Sequence, residues 1–210
     1  MPKPAFFKQF GLFVIPNFLD QESSLELCRR MTTAPAEKAQ VTSPLGEDRL
    51  DEYRRKVDAS ILPKEMQFPL KQRMRELIPE IAKHFAVEVV DCESPQYLVY
   101  RPGDFFKAHK DSGGSEKVRR RAVSAVIFLN NESHEPAEGG YGGGHLTFYG
   151  LLEGPQWEKC GLPLQGEPGL LVAFRSETVH EVTPVLHGQR FTVVTWFRGP
   201  EPPAVSEGAN

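Results

Sequence analysis

From about residue 90 onward the chain breaks into short β-rich runs separated by glycine and proline, and this texture narrows the possible folds more than any other feature. The runs are Gln96–Arg101, Phe105–His109, Ala122–Leu129, His145–Tyr149, Leu170–Phe174, Glu181–Val185 and Phe191–Phe197. No long helical pattern intervenes, so a parallel βαβ succession is excluded and an all-β sandwich or barrel is expected.

The first 90 residues read differently. Leu12-Phe13-Val14-Ile15 is a short buried strand stopped by Pro16-Asn17. Asp20 then offers an N-cap, with Glu22 in the first turn, for a helix through about Arg30 whose inner face carries Leu25 and Cys28. Residues 42–60 combine the turn chemistry of Ser43-Pro44-Leu45-Gly46 with dense charge, which fits a mobile loop, an exposed strand pair or a lid over a substrate. From Pro69 onward Leu70, Met74, Leu77, Ile78, Ile81 and Phe85 recur at helical spacing, with a kink expected at Pro79. The expected organisation is one domain over residues 1–200, mainly β with N-terminal helices. Residues 1–90 give helical support, 91–200 the β core, and 201–210 a flexible, proline-rich tail.

Length and charge set outer bounds. A chain of 210 residues can bury one substantial core without staples. A net charge of −3 gives no reason to expect a nucleic-acid partner, and Arg119-Arg120-Arg121 reads as a solvated loop before a strand. No run approaches the ~20 apolar residues of a membrane span, so no membrane contact is expected. Cys28, Cys92 and Cys160 are too sparse for a disulfide framework or a metal knuckle, and a soluble, cytoplasmic protein with reduced thiols is expected.

The chemistry concentrates in His109-Lys110-Asp111. Residues i and i+2 of a strand share a face, so one edge can present an imidazole and a carboxylate to one point. His180, between two apolar strands, supplies a third group. Two histidines and one carboxylate on a triangular face leave open positions on a metal, the pattern of non-haem iron(II) oxygenases. His145 competes as a ligand but has no carboxylate two residues on. Arg190 opens the apolar run Phe191–Phe197, and a guanidinium there needs an anion, either a structural acid or a ligand's carboxylate. Tyr100 precedes the turn Pro102-Gly103-Asp104, which can return its hydroxyl to the same pocket; an ordinary core tyrosine is the alternative. The glycine-rich run 138–144 lacks the Lys-Ser/Thr of a phosphate loop.

Tyr100–Asp111, Phe128-Leu129-Asn130, Gly143-Gly144-His145-Leu146 and Pro168–Arg190 together resemble the 2-oxoglutarate/iron(II) dioxygenase superfamily, and its prolyl 4-hydroxylase branch in particular. The resemblance implies a double-stranded β-helix, or jelly roll. It implies His109, Asp111 and His180 as iron(II) ligands, with Arg190 and Tyr100 on the distal carboxylate of 2-oxoglutarate and Thr192 and Trp196 lining the pocket. It implies 2-oxoglutarate and O2 as co-substrates, ascorbate as a support of activity, and hydroxylation of a prolyl residue in a peptide or protein. Hydroxylation of a free amino acid or small metabolite, and a non-catalytic binding module, remain alternatives. Phe106 departs from the pattern, because the branch often has tyrosine there. Residues 54–57 resemble its variable substrate-covering segment.

Overall fold

The computed structural model describes residues 4–43, 45–152, 154–157 and 159–201; the expected tail beyond residue 201 lies outside them. Two antiparallel sheets face each other. The large sheet runs, in spatial order, through Phe13–Ile15, Leu171–Arg175, Arg121–Phe128, Arg190–Arg198, Gln96–Tyr100, Asp58–Ser60 and Ala36–Lys38, with Asp91–Cys92 also paired to Arg190–Arg198. The small sheet runs through Leu162–Leu164, Leu146–Phe148, His180–Val182, Phe105–His109 and Arg55–Lys56. Strands distant in sequence alternate as neighbours, which gives the jelly-roll core that the family resemblance implies and that agrees with the strand texture.

Period-two alternation decides which side chains go where. In Arg121–Phe128, Val123, Ala125 and Ile127 join the cluster under the helices, whereas Val126 and Phe128 join the cluster between the sheets. Arg190–Arg198 repeats the division, with Phe191, Val193 and Phe197 turned toward the helices. One inter-sheet position of Arg121–Phe128 is polar, Ser124, and it is buried. That exception marks where the site lies.

The helices Gln21–Thr33, Lys64–Glu76 and Ile78–Phe85 cover the outer face of the large sheet through Met31, Leu70, Met74, Ile81 and Phe85. Asp20 caps the first by accepting from Ser23 N at 2.7 Å. Its buried face carries Ser24 and Met31 with Cys28 between them; Leu25, expected inside, is 40% exposed. Cys28 packs inward as expected and Leu25 does not, because the small Ser24 occupies the inner face and donates to its own turn at Asp20 O. The second helical run begins at Lys64, ahead of Pro69, and breaks at Leu77. Pro79 stands in the first turn of the next helix, where its missing N–H has no intrahelical partner to lose.

Residues 42–60 are less detached than their charge suggests. Val41–Thr42 pairs with Asp48–Arg49, but Arg55–Lys56 joins the small sheet beside Phe105 and Phe106, and Asp58–Ser60 joins the large one beside Tyr97 and Val99. Alternation rather than composition governs this stretch, since Arg55 and Val57 are buried while Lys56 is half-exposed. The N-terminal part therefore supplies strands as well as helices. The single strand expected over Glu181–Val185 is two, His180–Val182 and Val185–Gly188, because Pro184 cannot donate to a ladder and Thr183 N turns to His145 O.

Candidate active site

The metal-type triad assembles at the open end between the sheets. His109 ends one strand, His180 begins another, and the antiparallel register sets them directly opposite, with ring centroids 4.3 Å apart. Asp111 is held just past the strand end by its own N–H, which donates to Ser176 O at 2.8 Å. Its Oδ1 lies 3.5 Å from His109 Nε2 and its Oδ2 3.5 Å from His180 Nε2. All three ligand atoms fall within 4.8 Å of one another.

The outer contacts fix the protonation pattern. His109 Nδ1 donates to Lys107 O at 2.8 Å and His180 Nδ1 to Thr178 O at 2.9 Å. A carbonyl only accepts, so both rings carry their proton on Nδ1 and turn an Nε2 lone pair inward. Burial pushes His180 down to about 4, against the pull of Asp111, so it is neutral at pH 7. Burial works to raise the Asp111 carboxyl and the Ser124 hydroxyl to lower it, while the two imidazoles would lower it only in their protonated form. Ser124 Oγ donates to Asp111 Oδ2 at 2.7 Å and lies 2.9 Å from Ser176 Oγ. Two inward lone pairs facing a carboxylate, with no donor among them, form a cradle that a divalent cation fits. Phe106 stacks flat on His109 at 3.5 Å, and Phe174 meets His180 edge-on at 4.6 Å, so aromatic walls fix both rings.

A second element opens into the same cleft of about 580 Å³, which the triad, Arg190, Thr192 and Trp196 all line. Arg190 is 1% exposed and lies between the rings of Tyr100 and Phe128, 5.0 and 5.1 Å from their centroids. Its Nη1 donates to Thr192 Oγ1 at 3.3 Å, whereas Nε and Nη2, the side-on fork that matches a carboxylate, have no partner. Among the described residues no acid forms an ion pair with it, so the structural-acid alternative finds no support there. Tyr141 Oη is also buried without a partner, in the field of Arg190, and burial pushes the phenol up to about 12. A buried, unmatched guanidinium fork is costly, and a ligand carboxylate is what it fits.

Tyr100 meets Arg190 through its ring face, and Tyr141 in the glycine-rich run brings a buried, partnerless hydroxyl near the same guanidinium; Tyr97 Oη is likewise buried without a partner. Gly144 has φ +61°, and a Cβ there would press on Arg190 Cδ, so the run is shaped to let backbone pass the guanidinium. Trp196 carries Arg121 on its face at 3.7 Å, and Arg121 pairs bidentately with Glu93 at 2.9 and 2.8 Å. Arg121 is therefore not part of a solvated loop: the register shift between Arg121 and Val123 breaks the alternation of the strand and turns the guanidinium into the cleft. His145 stands apart from the triad, paired with Glu132 at 2.7 Å.

Residues 95–198 match the family model of the 2OG-Fe(II) oxygenase superfamily, and this part of the chain, which carries the triad and Arg190, belongs to that superfamily. Within it, the chain is 30% identical over 107 residues to a PKHD-type hydroxylase of Sphingopyxis alaskensis, an alignment covering 50% of this chain but only 43% of that protein. It spans less than half the length of that relative. Among solved structures, a Pseudomonas putida prolyl-4-hydroxylase shares the fold at a TM-score of 0.65 and 24% identity, covering 91% of this chain and 94% of that one. A prolyl hydroxylase from Trichoplax adhaerens, in complex with a hypoxia inducible factor oxygen degradation domain peptide fragment, aligns at 0.71 and 18%, covering 94% and 88%.

Proposed function

We propose that this chain is a 2-oxoglutarate- and iron(II)-dependent hydroxylase of a prolyl residue in a peptide or protein. The observation that carries the reading is the partnerless Arg190 fork in the same cleft as the two-histidine, one-carboxylate cradle. The bound iron(II) would supply the oxidising chemistry, in which 2-oxoglutarate, O2 and a C–H bond become succinate, CO2 and an alcohol.

The protein's own tasks follow from its side chains. His109, Asp111 and His180 would hold iron(II) by three groups and leave the remaining positions to exchangeable ligands. Arg190 Nε and Nη2, with Tyr141 Oη, would grip the distal carboxylate of 2-oxoglutarate and fix which end faces the metal. Thr192 orients the guanidinium, Tyr100 and Phe128 exclude water from it, and Trp196 lines the outer cleft. Ser124 holds Asp111 in place. Ascorbate would sustain turnover by keeping the metal reduced, and the three free thiols suit a reducing, cytoplasmic setting.

The prolyl assignment draws on the likeness to the prolyl hydroxylases of Pseudomonas putida and Trichoplax adhaerens, the second of which is in complex with a peptide fragment. Protein supplied with iron(II), ascorbate and 2-oxoglutarate should release succinate faster with a prolyl-peptide library, and the peptides should gain one oxygen atom. Asp111→Ala and His180→Ala should remove both signals. Undiminished succinate release by either variant refutes the metal assignment, and peptide binding without succinate favours a non-catalytic module.

A further inference from the structure

We propose that Arg55 is a second anion site of this cleft and grips a carboxylate carried by the substrate; this rests on the oxygenase reading above and narrows its substrate. Arg55 is 7% exposed, lines the cleft, and forms an ion pair with no acid among the described residues. Its Nη1 donates to Gln40 O at 2.8 Å and its Nη2 reaches Gln96 Oε1 at 3.4 Å, while Nε is buried with no partner. Those acceptors are neutral, so they aim the guanidinium without cancelling its charge.

Three neighbouring bases are matched. Arg121 has Glu93, Arg101 has Asp58, and Lys56 has Asp104. Asp111 acts on Arg55 electrostatically, but its charge belongs to the metal cradle. With a divalent ion and a dianionic 2-oxoglutarate in place, the charges of metal, diacid, Asp111 and Arg190 cancel. The charge of Arg55 is left over in a buried cleft, where an unpaired guanidinium is costly.

Position separates the two arginines. Arg190 belongs to the large sheet, and Arg55 to the edge strand of the small sheet, opposite Phe106. The Arg55 guanidinium carbon lies 4.8 Å from the Phe106 ring, and that ring lies flat on His109. Phe106, where the prolyl 4-hydroxylase pattern often has tyrosine, thus offers an apolar face under the guanidinium and no competing hydroxyl. A substrate with its reactive carbon at the metal would place a nearby carboxylate against Arg55. The carboxylate can belong to the oxidised residue itself, as in a free or C-terminal prolyl group, or to an acidic neighbour in a peptide.

Binding titrations on anaerobic, iron(II)-loaded protein saturated with 2-oxoglutarate test this without turnover. Two matched pairs serve as probes: N-acetyl-L-proline against N-acetyl-L-prolinamide, and an amide-capped peptide with glutamate beside an internal proline against its glutamine counterpart. The acid of at least one pair should bind about ten-fold or more tighter than its neutral partner, and the pair that discriminates identifies the carboxylate's source. Arg55→Met should abolish the preference and Arg55→Lys should keep part of it, with 2-oxoglutarate binding serving as the check that each variant is folded. Equal binding of acid and neutral partner in both pairs, or a preference that survives Arg55→Met, overturns the proposal. Failure of the wild-type protein to bind 2-oxoglutarate overturns the oxygenase reading instead.

Discussion

Replacing Arg190 by methionine should weaken 2-oxoglutarate binding while leaving the ligand-free protein as stable as before, or more so. Methionine keeps the stem between Tyr100 and Phe128 and removes a buried charge whose Nε and Nη2 are unmatched. Replacing a buried charge by an apolar group of similar volume is often neutral or stabilising by about 1–4 kcal/mol. On the binding side, losing a buried charged partner costs about 2–5 kcal/mol, roughly a 30- to 4,000-fold rise in Kd. Thermal melts of metal-loaded protein read both effects. At about 100 times the wild-type Kd, 2-oxoglutarate contributes about 2.7 kcal/mol of stability. For a chain of this size that is a rise of roughly 5–11 °C in Tm. Arg190→Met should keep at most about a third of that rise at the same concentration, and close to none at the upper end of the expected Kd range. An undiminished shift, or a ligand-free variant several kcal/mol less stable than wild type, would mean that Arg190 is a structural cation and not a ligand group.

Two further outcomes follow from contacts around the triad. Ser124→Ala leaves the metal-cradle groups intact but frees Asp111 Oδ2, and should weaken divalent-metal affinity about 10- to 100-fold in equilibrium dialysis; unchanged affinity would show that Ser176 alone positions the carboxylate. Arg121→Met strands Glu93 and should lower urea-unfolding stability by about 1.5–3 kcal/mol. Pairing it with Glu93→Gln should recover part of that loss, and strict additivity would show that the two do not act as a pair.

The strands of the core were legible because alternation there coincides with composition. Phe105–His109 has the bounds expected, and the other runs shift by a residue at their ends, except Glu181–Val185, which Pro184 splits in two. The triad was legible for the same reason, since His-x-Asp at a strand end has only one face to use. What composition hid was charge and hydroxyls in inward positions. Arg55 lies in a stretch whose acidic and basic neighbours suggest surface, though Arg55 and Val57, two residues apart, are both buried. Ser124 could have been found as a small polar residue at an inward position of an otherwise apolar strand, between Arg121 and Val126. Tyr141 carried no such signal, because its place beside Arg190 depends on glycine-permitted turns that have no period. Helix phase was lost at Leu25 through Ser24, a small residue that packs inward without being apolar.

The most direct measurement is diffraction from crystals grown without oxygen in manganese(II) and 2-oxoglutarate, with anomalous scattering locating the metal. One ion should stand about 2.0–2.2 Å from His109 Nε2, an Asp111 oxygen and His180 Nε2. The distal carboxylate of the diacid should lie on Arg190 Nε and Nη2. A metal held elsewhere, or a diacid whose carboxylate leaves that guanidinium untouched, would contradict the reading of this cleft as an oxygenase site.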